Sequence, residues 1–146
     1  MKVDGACFYG NVTYEAEVDP ATTAICHCTD CQINSATAYG VVVGVIDKQF
    51  RLLSGTLKVF NKTADSGTVR ALTFCPECGT RIHATTIGEG SPFFGLRLGT
   101  VRQRDQFTPK IQVFCCSAQD WVNDLASVAS FDAMPTPEEM TKLRNA

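Results

Sequence analysis

The sequence predicts one mainly-β domain, and three observations predict it. Residues 11–18 alternate apolar and polar at period two. Short runs rich in Val, Thr and Phe recur between Gly and Pro turn signals. Helix signals come only near the end. The chain has 146 residues, 45% hydrophobic and 19% charged, a composition that builds a single core without staples and excludes wholesale disorder. No linker divides it, so one domain over residues 1–146 is expected.

Asn11 to Val18 places Val12, Tyr14, Ala16 and Val18 on one face and Thr13, Glu15 and Glu17 on the other, a half-buried strand. Thr37 to Ile46 is Val-rich and reads as a more fully buried strand. Gln49 to Ser54 and Thr56 to Asn61 flank Ser54-Gly55, a hairpin-like turn signal. Thr63 to Gly67 is a polar loop, and Thr68 to Phe74 is a strand running into Cys75. Arg81 to Thr86, Phe93 to Leu98 and Lys110 to Phe114 complete the strands, separated by Gly-rich or Pro-marked turns. Ser117-Ala118-Gln119-Asp120 has the shape of a capping box ahead of Trp121, Val122 and Leu125 at helical spacing. Thr136, with Pro137 in the first turn, starts a second short helix.

A net charge of −2 leaves no basic stripe for nucleic acid. No apolar run approaches the ~20 residues that span a bilayer, and residues 1–5 lack the apolar stretch of a signal peptide. A cytoplasmic protein with neither a nucleic-acid nor a membrane partner is expected.

Eight cysteines are the informative feature, because they are grouped in a chain expected in a reducing compartment. Cys75-Pro76-Glu77-Cys78-Gly79 is a zinc-knuckle half-site, with Gly79 free to take the positive φ that such turns demand. Cys7 is the natural third ligand. Cys26-His27-Cys28-Thr29-Asp30-Cys31 holds three cysteines in six residues. Three thiolates on one ion leave a fourth position open, the pattern of catalytic rather than structural zinc. Cys115-Cys116 ends an apolar strand, and adjacent residues there point to opposite faces, so the pair reads as core filler. His83 reads as an ordinary half-buried side chain.

The order Gly5-Ala6-Cys7, Gly10-Asn11-Val12-Thr13-Tyr14, Cys26-His27-Cys28-Thr29-Asp30-Cys31, Ser54-Gly55 and Phe74-Cys75-Pro76-Glu77-Cys78-Gly79 resembles the glutathione-dependent formaldehyde-activating enzyme family, which includes the centromere protein V relatives. With Ser117 and Trp121 near its end, the resemblance covers residues 5–125. It implies a β-tent-like fold of short antiparallel strands with short C-terminal helices and two zinc sites. Cys7, Cys75 and Cys78 then belong to a structural zinc. Cys26, Cys28 and Cys31 belong to a catalytic zinc associated with glutathione. Tyr9 stands where the family pattern has a second N-terminal cysteine, and a phenol with a pKa near 10 is a poor zinc ligand. That site has three thiolates plus water, borrows another ligand, or is empty. Gln32-Ile33 follows Cys31 where the family commonly carries arginine.

The expected activity is that of a zinc-dependent carbon–sulfur lyase, with zinc as cofactor and a glutathione-like thiol and a small electrophile as partners. A substrate thiol loses its proton at the Cys26/Cys28/Cys31 ion and adds to, or leaves from, the electrophilic carbon. His27 and Asp30, inside the ligand loop, are candidates to move a proton. Arg51, Arg81 and Arg97 are candidates for a substrate carboxylate. Two alternatives remain: a zinc-stabilised binding module without catalysis, and a redox dithiol protein using Cys28 and Cys31.

Overall fold

The computed structural model describes residues 1–88 and 93–145. Eight strands form one sheet: β1 (Lys2–Ala6), β2 (Thr13–Cys26), β3 (Gly40–Ser54), β4 (Lys58–Thr63), β5 (Val69–Phe74), β6 (Arg81–Ile87), β7 (Phe94–Arg97) and β8 (Ile111–Val113). Their order is β1-β2-β3-β7-β6-β5-β4, all antiparallel, with β8 added in parallel to the end of β2. A short helix, α1 (Thr29–Ser35), follows β2, and a second, α2 (Pro137–Arg144), lies near the C-terminus. The mainly-β expectation therefore holds.

The alternation read at residues 11–18 is the core face. Val12, Tyr14, Ala16 and Val18 are buried, packed with Val3, Val43, Ile82, Leu96, Leu98 and Val101. Tyr14 is sealed at the centre, stacked on Phe50 at 5.1 Å, with its hydroxyl 2.7 Å from Thr100 Oγ1. Burial pushes its phenol pKa up to about 12. The ring occupies the space where Gly5 has no side chain: a Cβ there would meet Tyr14 Oη at 2.2 Å.

β2 is long because it changes register three times against β3, which bends the sheet. The largest shift lies between Asp19 and Ala24. Pro20 falls within it, where it removes no ladder hydrogen bond. Below this kink β2 delivers Cys26 to a position paired on both sides, with Gly40 of β3 and Val113 of β8.

Three expectations need correction. Thr37–Ile46 and Gln49–Ser54 are not separate strands; β3 runs through both, and Asp47 and Lys48, at φ 44° and 60°, form a bulge inside it. Of the valines in that run only Val43 is fully buried. Ser54-Gly55 is a turn, with Gly55 at φ 75°, but β3 and β4 do not pair across it. The chain crosses to the far edge of the sheet, because β7 takes the free edge of β3. Turn chemistry specifies the reversal, not the partner.

The late helices also differ. Residues Asp120–Ser127 form 3-10 turns, not an α-helix, and the Ser117 hydroxyl donates to the Phe114 carbonyl instead of capping. α2 begins as expected at Thr136, whose hydroxyl accepts from the Glu139 amide while the Glu139 carboxylate accepts from the Thr136 amide. Cys115 and Cys116 are both exposed in a 3-10 turn, so they fill no core. β8 stops before them, at Val113. The Gly- and Pro-marked turn between β6 and β7 lies outside the described residues.

Candidate metal centres

Two groups of three cysteines converge, with the sulfurs of each group within 4.8 Å of one another. In the first, Cys26 sits at the end of β2, Cys28 at the N-cap of α1 and Cys31 in its first turn. The Cys28 sulfur takes the place of a capping oxygen, accepting from the Cys31 backbone amide at 3.3 Å. Cys26 Sγ lies 3.4 Å from Cys28 Sγ. Thiolates on a tetrahedral zinc stand about 3.8 Å apart, given bonds of about 2.3 Å, so this donor set fits one soft ion.

The group carries one stabilised anion. Cys31 is held down at about 5, chiefly by the hydrogen bond from Cys26, with further help from Cys28 and from the Arg97 guanidinium. The Cys26 thiol is pushed up because it donates to Cys31, and desolvation adds to this; desolvation raises Cys28 as well. Arg97, at the end of β7, was one of three arginine candidates, and it alone reaches the cysteines. Arg51 pairs with Glu15 at 2.6 Å on an exposed face, and Arg81 lies 4.7 Å over the Phe74 ring. Arg97 Nη1 is sealed from solvent with no acceptor. Gly40 makes room for it, since a Cβ there would stand 2.7 Å from Nη1 and 3.6 Å from Cys31 Sγ.

The two loop candidates for proton transfer are placed differently. His27 is fully buried, its Nε2 2.8 Å from Gln112 Oε1 and its Nδ1 without a partner. Tyr39 meets its ring edge-on at 5.6 Å. Asp30 is half exposed and pairs with Lys62 of β4 at 2.9 Å, which raises the lysine pKa. The Lys62 ammonium also feels the Cys28 sulfur, so this pair stands at the rim of the cluster.

Gln32 has a role that sequence reasoning missed. Its amide nitrogen donates to the His27 carbonyl at 2.7 Å and to the Ser117 carbonyl at 2.8 Å, while its oxygen accepts from Gln119 at 3.1 Å. It clamps the ligand loop to the segment after β8. Nothing in the local pattern marks a residue whose partners lie 85 positions away.

In the second group, Cys7 follows β1, and Cys75 and Cys78 form the turn between β5 and β6. Gly79, at φ 72°, donates its amide to the Cys75 carbonyl at 2.9 Å. The Val12 amide donates to Cys7 Sγ at 3.3 Å, and Thr80 Oγ1 lies 3.1 Å from Cys78 Sγ. The Thr80 hydroxyl, its amide and the Tyr9 amide hold Cys78 down at about 6, and burial raises Cys75. These three sulfurs also fit one ion. His83, away from both groups, is half-buried against Phe50 at 4.8 Å and Phe94 at 4.6 Å, and burial lowers it to about 4.

No helix among the described residues is long and apolar enough to cross a membrane. A crystal structure of a Rhodobacter sphaeroides protein is similar to this chain at a TM-score of 0.58 and 18% identity, covering 75% of this chain and 98% of that one. At that identity the likeness shows the fold. A search of curated proteins finds no match. The model of the glutathione-dependent formaldehyde-activating enzyme family matches residues 2–117, which includes both cysteine groups. The chain belongs to the glutathione-dependent formaldehyde-activating enzyme family.

Proposed function

We propose that this protein is a zinc enzyme that makes or breaks the carbon–sulfur bond between a glutathione-like thiol and an aldehyde or other small electrophile, a carbon–sulfur lyase in the cleaving direction. The observation that carries this reading is the convergence of the Cys26, Cys28 and Cys31 sulfurs beside the Arg97 guanidinium. Cys26, Cys28 and Cys31 would hold the zinc, and the ion would supply Lewis acidity that makes a substrate thiol easier to deprotonate near neutrality.

The side chains around it do the rest. Three thiolates carry more negative charge than a divalent ion cancels, and Arg97 offsets the excess, so an anionic thiol meets less repulsion. In the forming direction a sulfur–carbon bond is made, the carbonyl π bond opens and its oxygen takes one proton. The thiol has released one, so none is consumed overall. In this reading Asp30 passes that proton, supported by its partial exposure to solvent and its pairing with Lys62. In this reading His27, buried against Gln112, holds the ligand loop and serves proton transfer only if the loop opens. Cys7, Cys75 and Cys78 take a second zinc that ties β1 to the β5–β6 turn. This reading treats residues 1–146 as one cytoplasmic domain.

The test is proton-exchange NMR of glutathione with formaldehyde, on wild type and on Cys28→Ser. Adduct exchange accelerated by wild type and lost in the variant, with an unchanged circular dichroism spectrum, supports the proposal. Full activity in Cys28→Ser overturns it. Binding of glutathione without acceleration in wild type leaves the non-catalytic binding module instead.

A further inference from the structure

A closed zinc site presents four protein donors, and an open one presents three. Around Cys7, Cys75 and Cys78, only those three donors converge among the described residues, and the carboxylate of neighbouring Glu77 is not in the group. The other groups touching the sulfurs are the Val12 and Tyr9 amides and the Thr80 amide and hydroxyl, and the amides have no lone pair for a metal. Thr80 Oγ1 is already engaged by the Phe8 amide at 3.0 Å. Tyr9 has its side chain in solvent, 71% exposed, and Phe8 beside it is 94% exposed. Pro76, Glu77 and Gly79 are exposed on the facing turn. Cys7 and Cys75 are buried, and Cys78 is half-buried between the exposed Glu77 and Gly79, so Cys78 is the ligand nearest to solvent and the side from which a fourth ligand would arrive.

We infer that Cys7, Cys75 and Cys78 form a second open-coordination metal site, which takes a small external thiol as its fourth ligand. An ion already bound to three thiolates favours a fourth soft donor over water. The inference needs nothing from Cys26, Cys28 or Cys31, so it stands or falls apart from the proposed catalysis.

The experiment uses Cys26→Ser/Cys28→Ser, which disables the first group, loaded with cobalt to one ion per chain. Titration with 2-mercaptoethanol is followed by the visible cobalt bands and the sulfur-to-cobalt charge-transfer absorbance. The expected result is a saturable gain in charge-transfer intensity of about one third, as three cobalt–sulfur bonds become four. Adding Tyr9→Cys should abolish the response and slow metal loss to a chelator at least tenfold. A spectrum that does not respond, with cobalt bound, means the chain supplies a fourth ligand itself and overturns the inference. Failure to bind cobalt overturns it too. So does a fourth ligand borrowed from a second copy, seen as a response that vanishes only in concentrated, dimeric protein.

Discussion

The Arg97 guanidinium lies against the Cys31 sulfur, in space left open by the missing side chain of Gly40. One residue comes from the end of β7 and the other from α1, so the sheet delivers a fixed cation to a short helix. Charge and geometry are coupled here through a single glycine.

In the metal-free protein, Arg97→Met should raise the Cys31 pKa above its value of about 5, because one of the groups favouring the anion is gone. Gly40→Ala should act in the same direction by displacing Nη1. Absorbance of the thiolate at 240 nm against pH, with Cys78→Ser as background, measures both. An unmoved titration in Arg97→Met would remove the guanidinium from the site.

His83 predicts an acid-sensitive fold. Its folded pKa is about 4, below the ordinary value of 6.5, so between these values the unfolded chain binds a proton that the native chain does not. Stability is therefore unaffected above about pH 6.5 and declines as pH falls towards 4. His83→Gln in metal-free protein should flatten that part of the curve of urea midpoint against pH. Equal slopes for the two proteins would contradict the burial argument.

Gly5→Ala should destabilise by about 1–3 kcal/mol, since the new Cβ must displace the buried Tyr14 ring or the Thr100 carbonyl, 2.4 Å away. Tyr14→Phe loses only the hydroxyl contact to Thr100, a net effect of about 1 kcal/mol. In the Tyr14→Phe background most of the Gly5→Ala penalty should remain, because the ring carbon Cζ and the Thr100 carbonyl still stand in the way of the new Cβ. Chemical denaturation of the four proteins closes the cycle.

Gln32→Ala should release the segment beginning at Ser117 from the ligand loop, as it deletes both donated hydrogen bonds. Limited proteolysis should cut between residues 115 and 120 several-fold faster than in wild type. Unchanged cleavage would mean that Gln119 and its neighbours are held by other contacts.

Legibility in the sequence followed the range of the interactions. Val12, Tyr14, Ala16 and Val18 announced a core face because strand period is local. The grouping of Cys26, Cys28 and Cys31 was visible for the same reason. The β3–β4 separation was not, since Ser54-Gly55 encodes a turn while the pairing of β3 with β7 depends on residues some 50 positions on. Asp47 and Lys48 hid their bulge by taking left-handed φ without being glycine. Cys115 and Cys116 were misread because β8 ends at Val113, three residues into an apolar run. Arg97 could be chosen among the arginines only once the pairing of β7 with β3 brought its side chain to Cys31.

The two cysteine groups close very different lengths of chain. An ion shared by Cys26, Cys28 and Cys31 ties a loop of a few residues, already set by β2 and α1. One shared by Cys7 and the β5–β6 turn closes a loop of roughly 70 residues, and as a cross-link that would remove about 4 kcal/mol of unfolded-chain entropy against about 2 for the shorter loop. Under the proposed ligation the second ion acts like a removable staple: stripping it loosens the molecule, whereas stripping the first silences chemistry and leaves the architecture standing. A cell that withholds zinc would then lose this protein in two stages, with activity and structure failing at different metal concentrations.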